Sequence, residues 1–360
     1  MLTAMATSPM TSGSAKPKGK STGFRMSGFT SVKPPEEIPG GWRLKPAAGR
    51  IATAIGLGIF TVFWNGITWT ILIATWRAEH GLVAGGVTLF IGIFVLIGLV
   101  MAWAFVHQLL KALFTPAVIL TLNAPRLTCG TATELSWAIP QHHERLSNVA
   151  ISLVLREECQ YRRGTDTVTD RHDAQELTIY ERSEPDAEGR CTLLIPATLP
   201  PSFNTTANQL VWSLRVTGTV KGLPDVDDEY PLAVDPALTA VASLTPAPLP
   251  LGTVLPADSP VLALANGGIG VVPGVPVAGV VCAPGKPVTV RLRWATSGKG
   301  DQQGEVVATT NLVADAAGFI LVLPSLPPLW HGTVLSLTWH VDVEVHGTLL
   351  MSFALSPAAA

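Results

Sequence analysis

The chain has 360 residues, of which 48% are hydrophobic and 14% are charged, and its mean hydropathy is +0.38. This composition is too apolar for an ordinary soluble protein and indicates membrane-spanning segments. The net charge of −2 conceals an asymmetry: residues 1–50 hold eight bases and two acids, whereas residues 116–360 hold fourteen bases and twenty-three acids. The basic part lacks interleaved aromatic residues that could stack on bases, so no nucleic acid is expected as a partner.

Residues 1–48 form a basic N-terminus that is rich in Ser, Thr, Lys and Pro. A segment of this composition buries too little apolar surface to fold, so disorder is predicted for it. The first 30 residues contain no apolar stretch followed by a small-residue cleavage site, so no secretory signal peptide is expected. Clustered bases beside a membrane helix attract anionic headgroups, which makes membrane lipid an expected partner.

Two uncharged stretches, residues 51–76 and 82–106, each exceed the roughly 20 residues that a helix needs to cross the hydrocarbon core. Region 49–115 is therefore predicted to be a two-helix transmembrane hairpin, with its second helix extending to about residue 114. Bases are concentrated before the first helix, so the positive-inside rule predicts a multi-pass protein of the inner (plasma) membrane with both termini in the cytoplasm. Asn65 is expected to hydrogen-bond across the hairpin. Small residues at spacing four favour close packing of the two helices against each other or, secondarily, self-association of the hairpin.

Beyond residue 116, short segments with a period of two replace the helical runs. In QLVWSLRV (209–216), for example, Leu210, Trp212, Leu214 and Val216 share one face. This alternation predicts strands that are buried on one face. The predicted domains are a first β-sandwich at 116–236, a Pro/Ala/Gly-rich linker at 237–279 and a second β-sandwich at 280–358. Within the linker, VLALANG (261–267) and VAGVV (277–281) also fit the first strands of the second sandwich.

An internal repeat relates residues 199–216 to residues 326–343 at an offset of 127 positions, which favours one β-unit used twice. Trp137 and Trp294 are further predicted to be equivalent, because each lies near the end of a strand that precedes a Leu-Pro-Pro segment. Seven of eighteen positions are identical, namely Leu199/Leu326, Pro200/Pro327, Pro201/Pro328, Thr206/Thr333, Leu210/Leu337, Trp212/Trp339 and Val216/Val343.

The run IPATLPPSFNTTANQLVWSLRVTGTV (195–220) resembles the arrestin segment in which a proline-rich edge, Pro-Ser-Phe and a following strand close the N-terminal sandwich. The run REECQYRRGTDTVTDRH (156–172) is similar to the polar hairpin of uncharacterised bacterial membrane proteins of the DUF3592-like type. These resemblances imply a transmembrane α-helical hairpin plus an all-β region of two tandem arrestin-like or immunoglobulin-like β-sandwiches. They also imply an interaction scaffold, although the PPxY motif of arrestin relatives is absent.

The sequence contains no nucleophile elbow, P-loop or HExxH motif, so no catalytic residue and no cofactor are predicted. The expected function is that of a membrane-anchored, non-catalytic scaffold for protein–protein interaction or assembly at the inner membrane. A homo-oligomer is one form that such an assembly could take. The alternative is a metal- or ligand-binding membrane sensor.

Two clusters of polar side chains support the sensor alternative, because carboxylates bind hard cations and His with carboxylates binds zinc. In the first cluster, residues 225–229, the spacing of an EF-hand is missing, so an acidic surface turn is the default interpretation. In the second cluster, residues 340–346, residues two apart on a strand are roughly 6.7 Å apart. Four in a row therefore cannot reach one ion, and a solvent-facing strand is the default interpretation. The candidate ligands are Asp225, Asp227, Asp228 and Glu229 in the acidic turn, and His340, Asp342, Glu344 and His346 on the strand.

The polar hairpin 156–172 contains Tyr and Arg, the residue types that are enriched at protein-binding hot spots. A solvated strand end is the ordinary explanation for such a run, and partner binding is the alternative. The candidate partner-binding residues are Arg156, Tyr161, Arg162 and Arg163.

The four cysteines, Cys129, Cys159, Cys191 and Cys282, have no CxxC spacing, so no zinc knuckle is expected. With the C-terminal region in the cytoplasm, they are expected to be reduced thiols.

Overall fold

The computed structural model of the chain describes residues 29–47, 49–78, 82–237, 261–264, 276–282, 287–313, 317–324 and 326–355. Over these residues the chain forms a short β-hairpin, then two helices, then the remaining strands in two groups. The helices are α1 (Arg50–Ala78) and α2 (Leu82–Phe114), and the strands are β1 (Glu36–Ile38), β2 (Gly41–Arg43), β3 (Ile119–Leu122), β4 (Leu127–Thr128), β5 (Ala132–Ala138), β6 (Leu146–Arg163), β7 (Asp166–Arg182), β8 (Glu188–Leu194), β9 (Phe203–Asn204), β10 (Asn208–Val220), β11 (Val226–Leu232), β12 (Val234–Asp235), β13 (Val261–Leu264), β14 (Pro276–Cys282), β15 (Pro287–Gly298), β16 (Gly304–Val313), β17 (Ala317–Val322), β18 (Trp330–His331), β19 (Leu335–Val345) and β20 (Thr348–Leu355).

The two helices pack side by side and run in opposite directions. Both are long and apolar enough to cross a membrane, with mean hydropathies of 1.6 and 2.8. Asn65 Nδ2 donates to the carbonyl of Gly98 over 3.1 Å, which confirms the hydrogen bond predicted across the hairpin. Gly98 permits this approach, because a Cβ at that position would overlap the Asn65 amide.

The first β-unit, which comprises β1 to β12, buries one hydrophobic core between two sheets. One sheet has the order β1-β2-β3-β5-β8, and the other has the order β11-β10-β6-β7 with β9 beside β10. Alternate residues of these strands point inward, as the period-two pattern predicts. Fully buried members of the core include Leu120, Leu135, Ile151 and Trp212.

Residues 36–43 are ordered as a hairpin on the first β-unit, so the prediction of disorder over residues 1–48 is wrong for this part. Strand β2 pairs with β3 through Trp42↔Leu122, and the amide of Leu44 donates to the carbonyl of Leu120 over 2.9 Å. The hairpin satisfies backbone groups that β3 would otherwise expose at the sheet edge. Residues 1–28 lie outside the described part of the chain.

The second β-unit comprises β13 to β20. One sheet has the order β13-β14-β17; in the other, β16, β15 and β19 are neighbours, with β18 and β20 both beside β19. Its core includes Val290, Leu292, Trp339 and Val341. Strands β13 and β14 lie largely within the predicted linker 237–279, which is therefore too long, and the alternative assignment of these residues to the second unit is the correct one.

The repeated segments have the same local structure in both units. Leu210 pairs with Phe203 between β10 and β9, and Leu337 pairs with Trp330 between β19 and β18, at the same offset of 127 positions. The indole of Trp212 donates to the carbonyl of Pro200 over 2.9 Å. The indole of Trp339 donates to the carbonyl of Pro327 over 3.0 Å.

The predicted equivalence of Trp137 and Trp294 is wrong. Trp294 lies on β15 directly opposite Trp339, and the residue opposite Trp212 is Leu155 of β6. Trp294 therefore corresponds to Leu155, whereas Trp137 belongs to β5 in the other sheet. A strand that ends near Trp does not reveal which of two sheets it joins, because both sheets present the same alternating pattern to the core.

Candidate interaction site

A buried carboxylate joins the two β-units. Strand β6 places its odd-numbered residues in the core, and Glu157 continues that face beyond Leu155 at 0% exposure. The carboxylate accepts four N–H groups of the second unit: Trp330 Nε1 over 3.0 Å and the amides of Thr333, Val334 and Leu335 over 3.3, 2.7 and 3.1 Å. Burial of a charge is tolerated only when hydrogen bonds replace its hydration, and these four bonds do so.

The turn between β18 and β19 fits closely around this carboxylate. Gly332 lies against Glu157 and Trp330, and a Cβ on Gly332 would overlap the carboxylate. The apolar residues that follow, Val334, Leu335 and Leu337, belong to the hydrophobic core of the first unit. The two units therefore share apolar packing as well as polar contacts.

The second unit makes a reciprocal contact through the turn between β15 and β16. Asn208, which is 1% exposed, donates from Nδ2 to the carbonyl of Asp301 over 2.9 Å and to Thr296 Oγ1 over 3.3 Å. Gln303 Oε1 accepts the amide of Ala207 over 3.2 Å. Phe203 and Trp294 meet edge to face, with ring centroids 5.8 Å apart.

The two contacts use equivalent positions of the two units. Thr296 lies two residues beyond Trp294, as Glu157 lies two residues beyond Leu155, so Thr296 and Glu157 hold equivalent positions in the strand register. Each unit thus offers the turn that follows its proline pair to the strand end of the other unit. This is the self-complementary contact pattern of a symmetric dimer interface, here formed within one chain.

A second buried junction joins the first β-unit to the helices. Arg50, at the start of α1, forms an ion pair with Asp228 of β11 and donates to the carbonyls of Thr115 and Pro116, just after α2, over 2.8 and 3.1 Å. The two side chains are only 14% and 9% exposed. One guanidinium therefore connects the start of α1, the end of α2 and the sheet.

Three of the four acidic-turn candidates serve separate structural roles. Asp228 pairs with Arg50, Glu229 pairs with Arg156, and Asp225 caps the amide of Val220 over 3.1 Å. Asp227 is exposed. The structure does not gather them around a common point.

Three of the four candidates around β19, His340, Asp342 and Glu344, also have partners of their own. Asp342 accepts from Arg293 Nε over 2.8 Å and from Ser352 Oγ over 2.6 Å, and Glu344 pairs with Arg291 over 2.7 Å. His340 contacts Thr338 Oγ1 over 2.9 Å, and His346 is exposed in a turn. Among the residues that the structure describes, no group of three or more His, Cys, Asp or Glu is arranged to hold a metal ion.

These contacts shift two ionisation equilibria on the outer face of β19. Burial alone would raise the pKa of Asp342, but the hydrogen bonds from Arg293 and Ser352 outweigh burial and lower it. Burial, together with the nearby positive charge of Arg293, lowers the pKa of His340. Asp342 is therefore held as a carboxylate and His340 as a neutral imidazole.

The partner-binding candidates of the polar hairpin fall into two groups. Arg156 is only 12% exposed and is held between Asp173 and Glu229, with N–O distances of 2.6 and 2.8 Å, so its guanidinium is already engaged. Tyr161 donates to Asp170 Oδ2 over 3.4 Å. Arg162 and Arg163 are exposed at the tip, next to Gly164, whose φ of 67° permits the turn.

An open groove of about 940 Å³ lies beside this hairpin, lined largely by hydroxyl and amide side chains. One wall is the segment 29–32, which is fastened by Thr30: its amide donates to Glu158 Oε2 over 2.6 Å, and its carbonyl accepts Gln209 Nε2 over 3.0 Å. Glu158 is 0% exposed, and it also accepts Arg171 Nε over 3.1 Å. Glu157 and Glu158 are not among the predicted site residues, although two acids that extend an apolar strand are an available signal of buried carboxylates.

The cysteines with described side chains are free thiols. Burial raises the pKa of both Cys129 and Cys159 to about 11, so each is a thiol at neutral pH. Cys159 Sγ donates to the carbonyl of Val334 over 3.3 Å, which places it at the junction between the units. The side chain of Cys282 lies outside the described part of the structure.

No protein-family model matches the chain, and no curated protein matches it.

Proposed function

We propose that this protein is a membrane-anchored, non-catalytic scaffold that presents its two β-units to protein partners. The observation that carries the proposal is the Glu157 junction, where a buried carboxylate and four N–H donors hold the second unit on the first. A fixed relative position of two units is what a scaffold needs, since preorganised surfaces lose less entropy on binding.

The scaffold is placed at the inner membrane as a multi-pass protein with both termini in the cytoplasm. The Arg50 junction supports placing both flanks of the helical hairpin on the same side of the membrane, because it connects the start of α1 and the end of α2 to the same sheet. The bases before α1 support the cytoplasmic side, in keeping with the positive-inside rule. Alkaline-phosphatase fusion at residue 360 tests this side: an active fusion contradicts it.

The two β-units are further proposed to be arrestin-like sandwiches. The facing sheets around one core and the same Trp-to-Pro hydrogen bond in each unit support this assignment. An experimental structure of the chain tests it through the strand order of the second unit.

The partner surface is assigned to the basic hairpin tip and the adjoining groove. Arg162 and Arg163 are exposed, whereas Arg156 is engaged in ion pairs. Arg162 pairs in the hairpin with Thr167, which lines the groove. Exposed arginines beside a groove favour a partner segment that carries acidic residues, because charge complementarity steers association.

Photo-crosslinking in cells tests the scaffold. A photoreactive amino acid at Thr165 in the full-length chain is expected to give a protein adduct, and the Arg162→Glu, Arg163→Glu double substitution is expected to abolish it. Arg182→Glu, at an exposed arginine near the other end of β7, serves as the charge-matched control. An adduct with the chain itself supports a homo-oligomer, and the absence of any adduct contradicts the scaffold.

Ligand sensing is a second candidate, favoured by the size of the groove, which lies in the range of small-molecule sites. The groove wall contributes Gln160 and Asn204 as hydrogen-bonding groups. A small molecule that copurifies with the wild-type chain and is lost in Gln160→Leu supports sensing. Failure of any molecule to copurify counts against it.

A further inference from the structure

A separate cleft of about 590 Å³ lies where the helices meet the first β-unit. It is lined by the first turn of α1, the last turn of α2, the connection from β2 to α1 and the loop after β5. If the helices cross the bilayer, as the proposed function holds, the cleft lies at the level of the lipid headgroups, since the apolar spans end there.

The charged residues that line this cleft are Arg43, Arg50 and Asp228, and Arg50 and Asp228 form an ion pair with each other. Residues 43–50 contain Arg43, Lys45 and Arg50 and no acid. Arg43 lines the cleft and is exposed, and it projects from a strand whose backbone is paired on both sides. Arg50 donates four of its five N–H groups to Asp228, Thr115 and Pro116. Its guanidinium is therefore engaged in the junction, and Arg43 is the main cation in the cleft that is available to a ligand.

The start of α1 adds positive potential to the same cleft. Its first turn contains no acidic residue, and the first N–H groups of a helix lack partners within the helix. The end of α2 has the opposite partial charge and offsets this contribution. Because Arg50 is paired with Asp228, Arg43 is the cation of the described lining without a paired acid, and its charge favours an anion beside it.

The lips of the cleft are apolar and exposed. Ile51, Leu113 and Phe114 are 63%, 62% and 49% exposed and lie at the two helix ends. A soluble anion makes no use of such a surface, whereas an amphiphile matches Arg43 with its headgroup and the apolar lips with its acyl chains.

We propose that this cleft binds the headgroup of an anionic phospholipid, with Arg43 as the principal cation that contacts the phosphate. The inference rests on the proposed membrane anchorage and gives its lipid partner a defined site. The bound lipid would seat the base of the first β-unit against one leaflet.

Native mass spectrometry of the full-length chain in detergent tests this site. The protein is mixed with equal amounts of phosphatidylglycerol and phosphatidylcholine, and the lipids retained on it are counted. The wild-type chain is expected to retain the anionic lipid preferentially, and Arg43→Gln is expected to lower that retention about fivefold. Arg43→Lys keeps the positive charge and is expected to restore most of the lipid retention. Arg182→Gln, at an exposed arginine away from the cleft, is the control and is expected to retain as much anionic lipid as the wild type.

Equal retention of the two lipids by the wild type contradicts the proposed headgroup site. Equal retention of phosphatidylglycerol by the wild type and Arg43→Gln contradicts it as well. Displacement of the lipid by inorganic phosphate at the same concentration overturns the assignment to an amphiphile. Carbonate extraction of cell membranes separates the two proposals. A chain that is washed out contradicts both, whereas a chain that stays in the membrane without lipid preference contradicts only the lipid site.

Discussion

Trp330 donates its indole N–H to Glu157 over 3.0 Å, although 173 positions separate the two residues. Neither has a chemical equivalent in the other unit, because Phe203 stands in place of Trp330 and Thr296 in place of Glu157. The repeated residues build the same frame twice, whereas Trp330 and Glu157, which differ from their counterparts, meet each other across the junction. This pairing determines how the second unit sits on the first.

Replacing Glu157 by Ala leaves one indole and three amide donors without their buried acceptor. Each unsatisfied buried group costs about 1–3 kcal/mol, so the free energy of unfolding is expected to fall by about 3 kcal/mol or more. Urea denaturation of the full chain in detergent, followed by tryptophan fluorescence, measures the loss. Glu181→Ala is the control at an exposed acid, and equal effects of the two substitutions would show that Glu157 is not structural.

Gly332→Ala tests the fit of the turn around the carboxylate. Its methyl group would overlap Glu157, so the turn must shift, and a destabilisation of about 1–3 kcal/mol is expected. Thr333→Ala, the neighbouring control, keeps the backbone amide that Glu157 accepts and is expected to change stability by about 0.5 kcal/mol or less. A Gly332→Ala protein with wild-type stability would contradict the close fit.

The buried tryptophans differ in what their indoles contribute. Trp212→Phe and Trp339→Phe each remove a donor from a proline carbonyl, whereas Trp137→Phe removes an indole N–H that has no partner among the described residues. The first two are expected to lose about 1–2 kcal/mol more than the third. Thermal unfolding of the three variants compares them, and a uniform loss would mean that ring volume alone matters.

Arg50 is expected to be essential to the junction between helices and sheet. Arg50→Gln leaves Asp228 as an unpaired buried charge, which costs about 3–5 kcal/mol. Arg126→Gln is the matched control, because the Arg126–Asp235 pair is 58% and 41% exposed and such pairs contribute about 1 kcal/mol or less. Urea denaturation compares the two variants. Similar losses would contradict the structural role of Arg50.

The outer face of the second unit is expected to confer acid sensitivity. The pKa of Asp342 is lowered in the folded state, so its stabilisation is present at neutral pH and is lost as the pH falls below the unfolded value of about 3.9. Asp342→Asn should therefore flatten the dependence of unfolding free energy on pH below about pH 4. The measurement is denaturation at stepped pH, and a slope like that of the wild type would contradict it.

Local periodicity is sufficient to predict the helices, the alternating strands and the inner face of β10. It does not predict the pairing of distant strands, so it gives Trp294 the wrong counterpart, Trp137, where the register gives Leu155. Residues 36–43 were missed because their order comes from pairing with β3, not from their own composition. Glu157 was missed because the partners of a buried carboxylate are supplied by a turn 173 or more positions away.

Hydrogen exchange at the turn between β18 and β19 tests most directly whether the two units act as one body. The amides of Val334 and Leu335 donate to buried Glu157, so a peptide over residues 332–337 in the full-length chain is expected to exchange slowly. In Glu157→Ala the same peptide should exchange rapidly, while a peptide over residues 210–216 keeps its protection. Rapid exchange at residues 332–337 in the wild-type chain would contradict the account.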